Sequence, residues 1–260
     1  MPSILKQKEG SRIIFKTENE QKPGHIICDR SSYKMGNAVG IGVQQLSDGQ
    51  AVTNLRFESG KVTAKGAGVA AGIGSAAGRF EARSVSNIVI TGTAEVVATG
   101  GSGGGPGIGS TNGDTTNITI GGSAKVTATG TKGSPGIGSG CSENDCIGKR
   151  VSVTIEGGTV TAKGGSNAPG IGSRGATVDA VTISGGTVSA RGDGNNPAIG
   201  SGESCIGTTR INVSGGIVTS LSPSEHRPGL GTTKKFRRRR HPHLGRHRRH
   251  VPRYHRRAEE

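Results

Sequence analysis

A short phrase returns along this chain at nearly even intervals, and it constrains the fold more than any other feature. Pro-Gly-Ile-Gly-Ser or a near copy surrounds Ile41, Ile73, Ile108, Ile137, Ile171 and Ile199, and Pro-Gly-Leu-Gly surrounds Leu230. The steps between these positions are 32, 35, 29, 34, 28 and 31 residues. Self-similarity at this period marks a stacked-repeat architecture, in which each repeat buries its apolar side against its neighbours. Such a body works through its surfaces, and a functional feature in it is a column of residues.

Two short strand patterns precede the phrase in each period. The first is carried by Leu55/Phe57, Ile88/Ile90, Ile118/Ile120, Val153/Ile155, Val181/Ile183 and Ile211/Val213. The second is carried by Val62/Ala64, Val96/Ala98, Val126/Ala128, Val160/Ala162, Val188/Ala190 and Val218/Ser220. Alternation with period two places each pair on one face of its strand. Between the patterns stand corner glycines, as at Gly157-Gly158 and Gly185-Gly186. The Ile of the phrase supplies a third apolar side. Three inward sides per turn predict an all-β fold, a parallel β-solenoid of about six coils, roughly 30 Å long at the ordinary strand spacing. Composition agrees, with 48 Gly, 2% aromatic residues and no Trp. A thick core would draw on large side chains, whereas Val, Ile and Ala suit a narrow interior.

Residues 1–35 match the repeat poorly and read as an atypical N-terminal capping segment. Residues 36–232 are the Gly-rich repeats. Residues 233–260 are an Arg/His-rich tail, expected to be disordered. The tail holds 12 Lys or Arg against 2 Glu, so it carries +10 of the net +15. Its densest cluster is Lys234, Lys235, Arg237, Arg238, Arg239 and Arg240, a pattern suited to nucleic acid or another polyanion, or to a nuclear address. No apolar run is long enough to span a bilayer. The first 30 residues lack a signal-peptide h-region, because charge separates Ile4-Leu5 from Ile13-Ile14-Phe15.

Val-Thr-Ile-Glu-Gly-Gly-Thr-Val-Thr-Ala-Lys-Gly-Gly (153–165) and Pro-Gly-Ile-Gly-Ser (169–173) resemble repeats of large secreted or cell-surface adhesin-like proteins of bacteria and some protists. The resemblance covers roughly residues 36–232. It implies a β-solenoid at the cell surface or outside the cell, in contact with carbohydrate or host protein. The Arg-rich tail supports the alternative, an intracellular or nuclear polyanion binder with the repeats as scaffold. A β-helix polysaccharide lyase is a distant third.

The outward positions of the two strand patterns form ladders. On the first strand these are Thr119, Thr154, Thr182 and Asn212, preceded by Arg56 and Val89. On the second they include Thr127, Thr161 and Ser189, with Thr63, Val97 and Thr219. Rows of hydroxyls can hydrogen-bond glycans, and Thr also simply suits the solvated side of a strand. Catalysis is not expected: Asp114, Glu143, Asp145, Glu156, Asp179, Asp193 and Glu203 lie mostly in loops without a common phase. Cofactor and metal motifs are likewise absent from the expectation. The run Gly100–Gly105 lacks the Gly-Lys-Ser/Thr of a phosphate loop, and the Cys show no paired ligand spacing. Cys141 and Cys146 share one loop and can bridge if the chain is extracellular.

Overall fold

The computed structural model describes residues 12–19, 22–33, 36–43, 52–76, 84–140, 149–202, 209–223 and 228–232. The tail at 233–260, expected to be disordered, lies outside the described residues. Within them the chain winds in rungs of three strands. The first rung is β1 (Ile13–Phe15), β2 (His25–Asp29) and β3 (Ile41–Val43). The second is β4 (Val52–Phe57), β5 (Lys61–Lys65) and β6 (Ile73–Ser75). The third is β7 (Val85–Ile90), β8 (Glu95–Thr99) and β9 (Ile108–Thr111). The fourth is β10 (Thr115–Ile120), β11 (Lys125–Thr129) and β12 (Ile137–Gly140). The fifth is β13 (Arg150–Ile155), β14 (Thr159–Lys163) and β15 (Ile171–Ser173). The sixth is β16 (Thr177–Ile183), β17 (Thr187–Arg191) and β18 (Ile199–Ser201). The seventh is β19 (Thr209–Val213), β20 (Ile217–Leu221) and β21 (Leu230–Thr232).

Equivalent strands of successive rungs pair in three parallel sheets of seven strands each. This is a parallel β-solenoid. Six steps of strand spacing give a body about 29 Å long. Register is kept by identity of the inward residues: Val126 pairs with Val160 and Val160 with Val188, while Ala128, Ala162 and Ala190 form the neighbouring column. Ile88, Ile118, Val153 and Val181 line the first sheet, and Ile73, Ile108, Ile137, Ile171 and Ile199 line the third, all buried. These columns merge into one continuous core. The Ala column, buried at Ala64, Ala98, Ala128, Ala162 and Ala190, keeps the interior narrow on the second-sheet side.

The described residues within 1–35 contribute more than their poor match to the repeat suggests. Ile26 pairs with Val62 and Cys28 with Ala64, so β2 enters the second sheet in phase. Phe15 stacks on Phe57 with ring centroids 4.6 Å apart. Among the described strands the first and last rungs each pair with a neighbour on one side. Among the described residues the exposed large apolar side chains are Ile14, Ile26, Ile27 and Tyr33 in the first rung and Val213, Ile217, Leu221 and Leu230 in the last.

The third sheet differs from the others because its five inner strands, β6, β9, β12, β15 and β18, are buried throughout. Its central glycines, Gly42, Gly74, Gly109, Gly138, Gly172, Gly200 and Gly231, all have φ between 127° and 140°. A Cβ on any of the first six would sit 1.8–2.0 Å from the carbonyl oxygen of the next rung's glycine. Only glycine meets both conditions. From the second rung to the sixth the serine that follows is buried and tied to a loop between rungs: Ser139 Oγ donates to Gly113 O in the loop before its rung at 2.7 Å, and Ser173 Oγ accepts from Ala176 N in the loop after it at 2.9 Å.

Two stability predictions follow from this packing. Gly231 has a similar φ, but among the described residues the nearest atom to its Cβ position is Pro228 Cγ at 3.8 Å. Gly231→Ala therefore costs about 1–3 kcal/mol of backbone strain, whereas Gly138→Ala adds the clash and lowers stability further, as read by urea unfolding. In the same assay Ala128→Leu costs about 1–3 kcal/mol by overpacking, while Thr127→Val, one residue away and outward, stays within about 0.5 kcal/mol.

Candidate functional site

The outward residues of the second sheet form three columns across a broad face. One is His25, Lys61, Glu95, Lys125, Thr159, Thr187 and Ile217. The central one is Ile27, Thr63, Val97, Thr127, Thr161, Ser189 and Thr219. The third is Asp29, Lys65, Thr99, Thr129, Lys163, Arg191 and Leu221. Thr127 and Thr161 are exposed and Ser189 half-buried. The strand rule that puts Val and Ala inside puts these hydroxyls outside.

The first sheet carries the other expected ladder in register. Thr119 pairs with Thr154, Thr154 with Thr182, and Thr182 with Asn212, with the Thr residues half-buried and Asn212 exposed. Above it runs an amide ladder that the sequence reading missed. Asn117 Nδ2 donates to Asn87 Oδ1 and Asn87 Nδ2 to Asn54 Oδ1, each at 3.2 Å. All three Asn have φ between 55° and 60°. The register between β10 and β13 shifts here, so two residues of β10 oppose Ser152, whose Oγ accepts from Asn117 N at 2.9 Å. The signal available in the sequence is Thr/Ser-Asn-Leu/Ile at Asn54, Asn87 and Asn117, since Asn tolerates this left-handed conformation better than most residues.

The two halves of the second-sheet face differ electrostatically. In the N-terminal half Lys65 Nζ lies 2.9 Å from Asp29 Oδ2 and Lys61 Nζ lies 2.9 Å from Glu95 Oε1. His25 Nε2 sits 2.9 Å from Thr63 Oγ1. Hydrogen bonds from the Ser31 hydroxyl and backbone, with Lys65 beside them, bring the Asp29 carboxyl from 3.8 down to about 2. The Lys61 ammonium likewise holds Glu95 below its usual range. In the C-terminal half Lys125, Lys163 and Arg191 form none of the ion pairs found among the described residues.

The acids behave differently from one another. Asp114 and Asp179, two rungs apart, both meet Arg150. Asp114 Oδ1 accepts from Arg150 N at 3.0 Å, and Asp179 Oδ2 pairs with Arg150 Nε at 2.5 Å. Both carboxylates are thus engaged by one arginine. Among the described residues no group of three His, Cys, Asp or Glu is placed to hold a metal ion, and no helix is long and apolar enough to cross a membrane. Cys141 and Cys146 lie outside the described residues, as do Lys234, Lys235, Arg237, Arg238, Arg239 and Arg240.

Wound rungs with in-register columns define a β-helix repeat protein. Residues 118–141, 153–176 and 181–203 each match the model of the family described as Beta helix repeat, and each match spans one rung from first sheet to third. Comparisons with the curated proteins and with the solved structures gave no match.

The Asp29 contacts predict a pH dependence. A carboxyl with a folded pKa below its unfolded one stabilises the fold above the unfolded pKa, and that stability is lost as pH falls through the folded value. Between pH 4 and pH 2 the thermal midpoint of the wild-type chain falls more steeply than that of Asp29→Asn, measured by circular dichroism.

Proposed function

We propose that this β-helix is a noncatalytic, adhesin-like surface protein that binds glycans or partner proteins, host proteins among them, through its outward Thr/Asn/Lys ladders. The supporting observation is the condition of the hydroxyls. Thr119, Thr154, Thr182, Thr127, Thr161 and Ser189 stand in register, and among the described residues their side chains make no hydrogen bond. A row of solvated donors and acceptors about 4.8 Å apart is suited to a linear partner with a repeating set of polar groups. The resemblance of residues 36–232 to secreted and cell-surface repeats supports placement at the cell surface.

A second reading comes from another part of the chain. Twelve Lys or Arg within residues 233–260 make a polyanion-binding tail, with the solenoid as scaffold. One experiment separates the two. The full-length chain, a Thr127→Val/Thr161→Val/Ser189→Ala variant, and a variant with Arg237, Arg238, Arg239 and Arg240 changed to Gln are applied to glycan and matrix-protein panels. The ladder reading expects binding that falls about tenfold in the hydroxyl variant, the loss of one or two hydrogen bonds, and persists in the tail variant. Binding lost only in the tail variant, or a blank panel, overturns it.

A further inference from the structure

The two halves of the second-sheet face satisfy their polar groups in different ways, and the difference points to a ligand chemistry. In the first three rungs cations are matched by acids one strand away, Lys65 by Asp29 and Lys61 by Glu95, and Thr63 is matched by His25. In the fourth, fifth and sixth rungs the outward positions, Lys125, Lys163 and Arg191 with the hydroxyls between them, include no acid, and only Lys125 has one, Glu95, as a register partner on the neighbouring strand. Lys163 and Arg191 are register partners on neighbouring strands, and both are exposed. Like charges placed opposite one another in a sheet repel. Asp193, two residues beyond Arg191, forms none of the ion pairs among the described residues.

A juxtaposition of two cations with no acid paired to either among the described residues is one that an external anion would relieve. Lys125 stands at the start of its strand and Lys163 at the end of the next, four residues and one strand apart, roughly 14 Å. Thr127 and Thr161 lie between them. The track therefore runs diagonally, cationic at both ends and hydroxyl-lined in the middle. Its outward positions carry no Phe, Tyr or Trp, so it offers no platform for stacking nucleobases.

Resting on the glycan-binding reading above, we infer that this half of the face takes an acidic linear glycan. Its carboxylates or sulfates would meet Lys163, Arg191 and Lys125, and its ring hydroxyls would meet Thr127 and Thr161. Guanidinium and ammonium groups hold such anions by charge-assisted hydrogen bonds, and the hydroxyls supply the neutral contacts between them.

The test uses the full chain with Arg237, Arg238, Arg239 and Arg240 changed to Gln, so that the tail does not dominate. Three probes are titrated by calorimetry: a sulfated glycosaminoglycan hexasaccharide, its desulfated counterpart, and a single-stranded oligonucleotide of equal charge. In this background Lys163→Gln/Arg191→Gln is compared with Lys61→Gln/Lys65→Gln, which removes the same charge from the self-paired half. The inference expects the sulfated sugar to bind best, with affinity reduced about tenfold or more by the first double substitution and little by the second. Equal binding of the desulfated sugar, unaffected by Lys163→Gln/Arg191→Gln, overturns the acidic class and leaves the hydroxyl reading intact. Equal losses from both double substitutions reduce the effect to net charge and overturn the assigned track. Preference for the oligonucleotide makes this a nucleic-acid surface, and no binding of either sugar removes both readings.

Discussion

At the third sheet each rung meets the next with a carbonyl oxygen in the space a Cβ would need. That contact, repeated from Gly42 to Gly200, sets how rungs stack and what the other two sheets can do. A glycine held at φ near +135° turns its strand so that an Ile points into the core and, in the inner rungs, a serine hydroxyl reaches a loop between rungs. The Val and Ala columns of the second sheet and the Ile and Val columns of the first then close the section. Hydrophobic burial supplies most of the driving force, but the register in which it is buried is fixed where side chains are excluded.

The columns of the two outer sheets were legible because period-two alternation and a repeat near 31 residues identify both the face and the neighbour of every strand residue. The first rung was not, since Cys28 stands where later rungs have Ala and no Gly pair follows Ile13-Ile14-Phe15. The Pro-Gly-Ile-Gly phrase was visible without its cause, because spacing reveals a conserved phase within the chain but not a φ angle or a 1.9 Å approach. The Asn54–Asn87–Asn117 ladder required knowing that the first sheet bulges there.

The candidate face divides in the same manner. Which hydroxyls point outward followed from alternation alone. Which of them the protein already occupies did not, since the His25 contact to Thr63 and the Asp29 contact to Lys65 join residues 38 and 36 positions apart. The same hydroxyl type therefore appears in two states on one surface, bonded within the protein toward the first rung and solvated toward the last. Sequence describes the lattice, and tertiary pairing decides which of its points are vacant to a partner.

The matched columns also bear on how such a chain can change in length. Each strand pairs only with its counterparts in the adjacent rungs, so energy is shared between nearest neighbours. Losing or gaining one residue within a strand would turn its Val and Ala outward and its Thr inward. Removing a whole three-strand turn, by contrast, would bring Val126 to Val188 and Ala128 to Ala190 without altering any face. Viable length variants of this protein are thus quantised in units of one turn, and the loops between strands are the places where finer variation can accumulate.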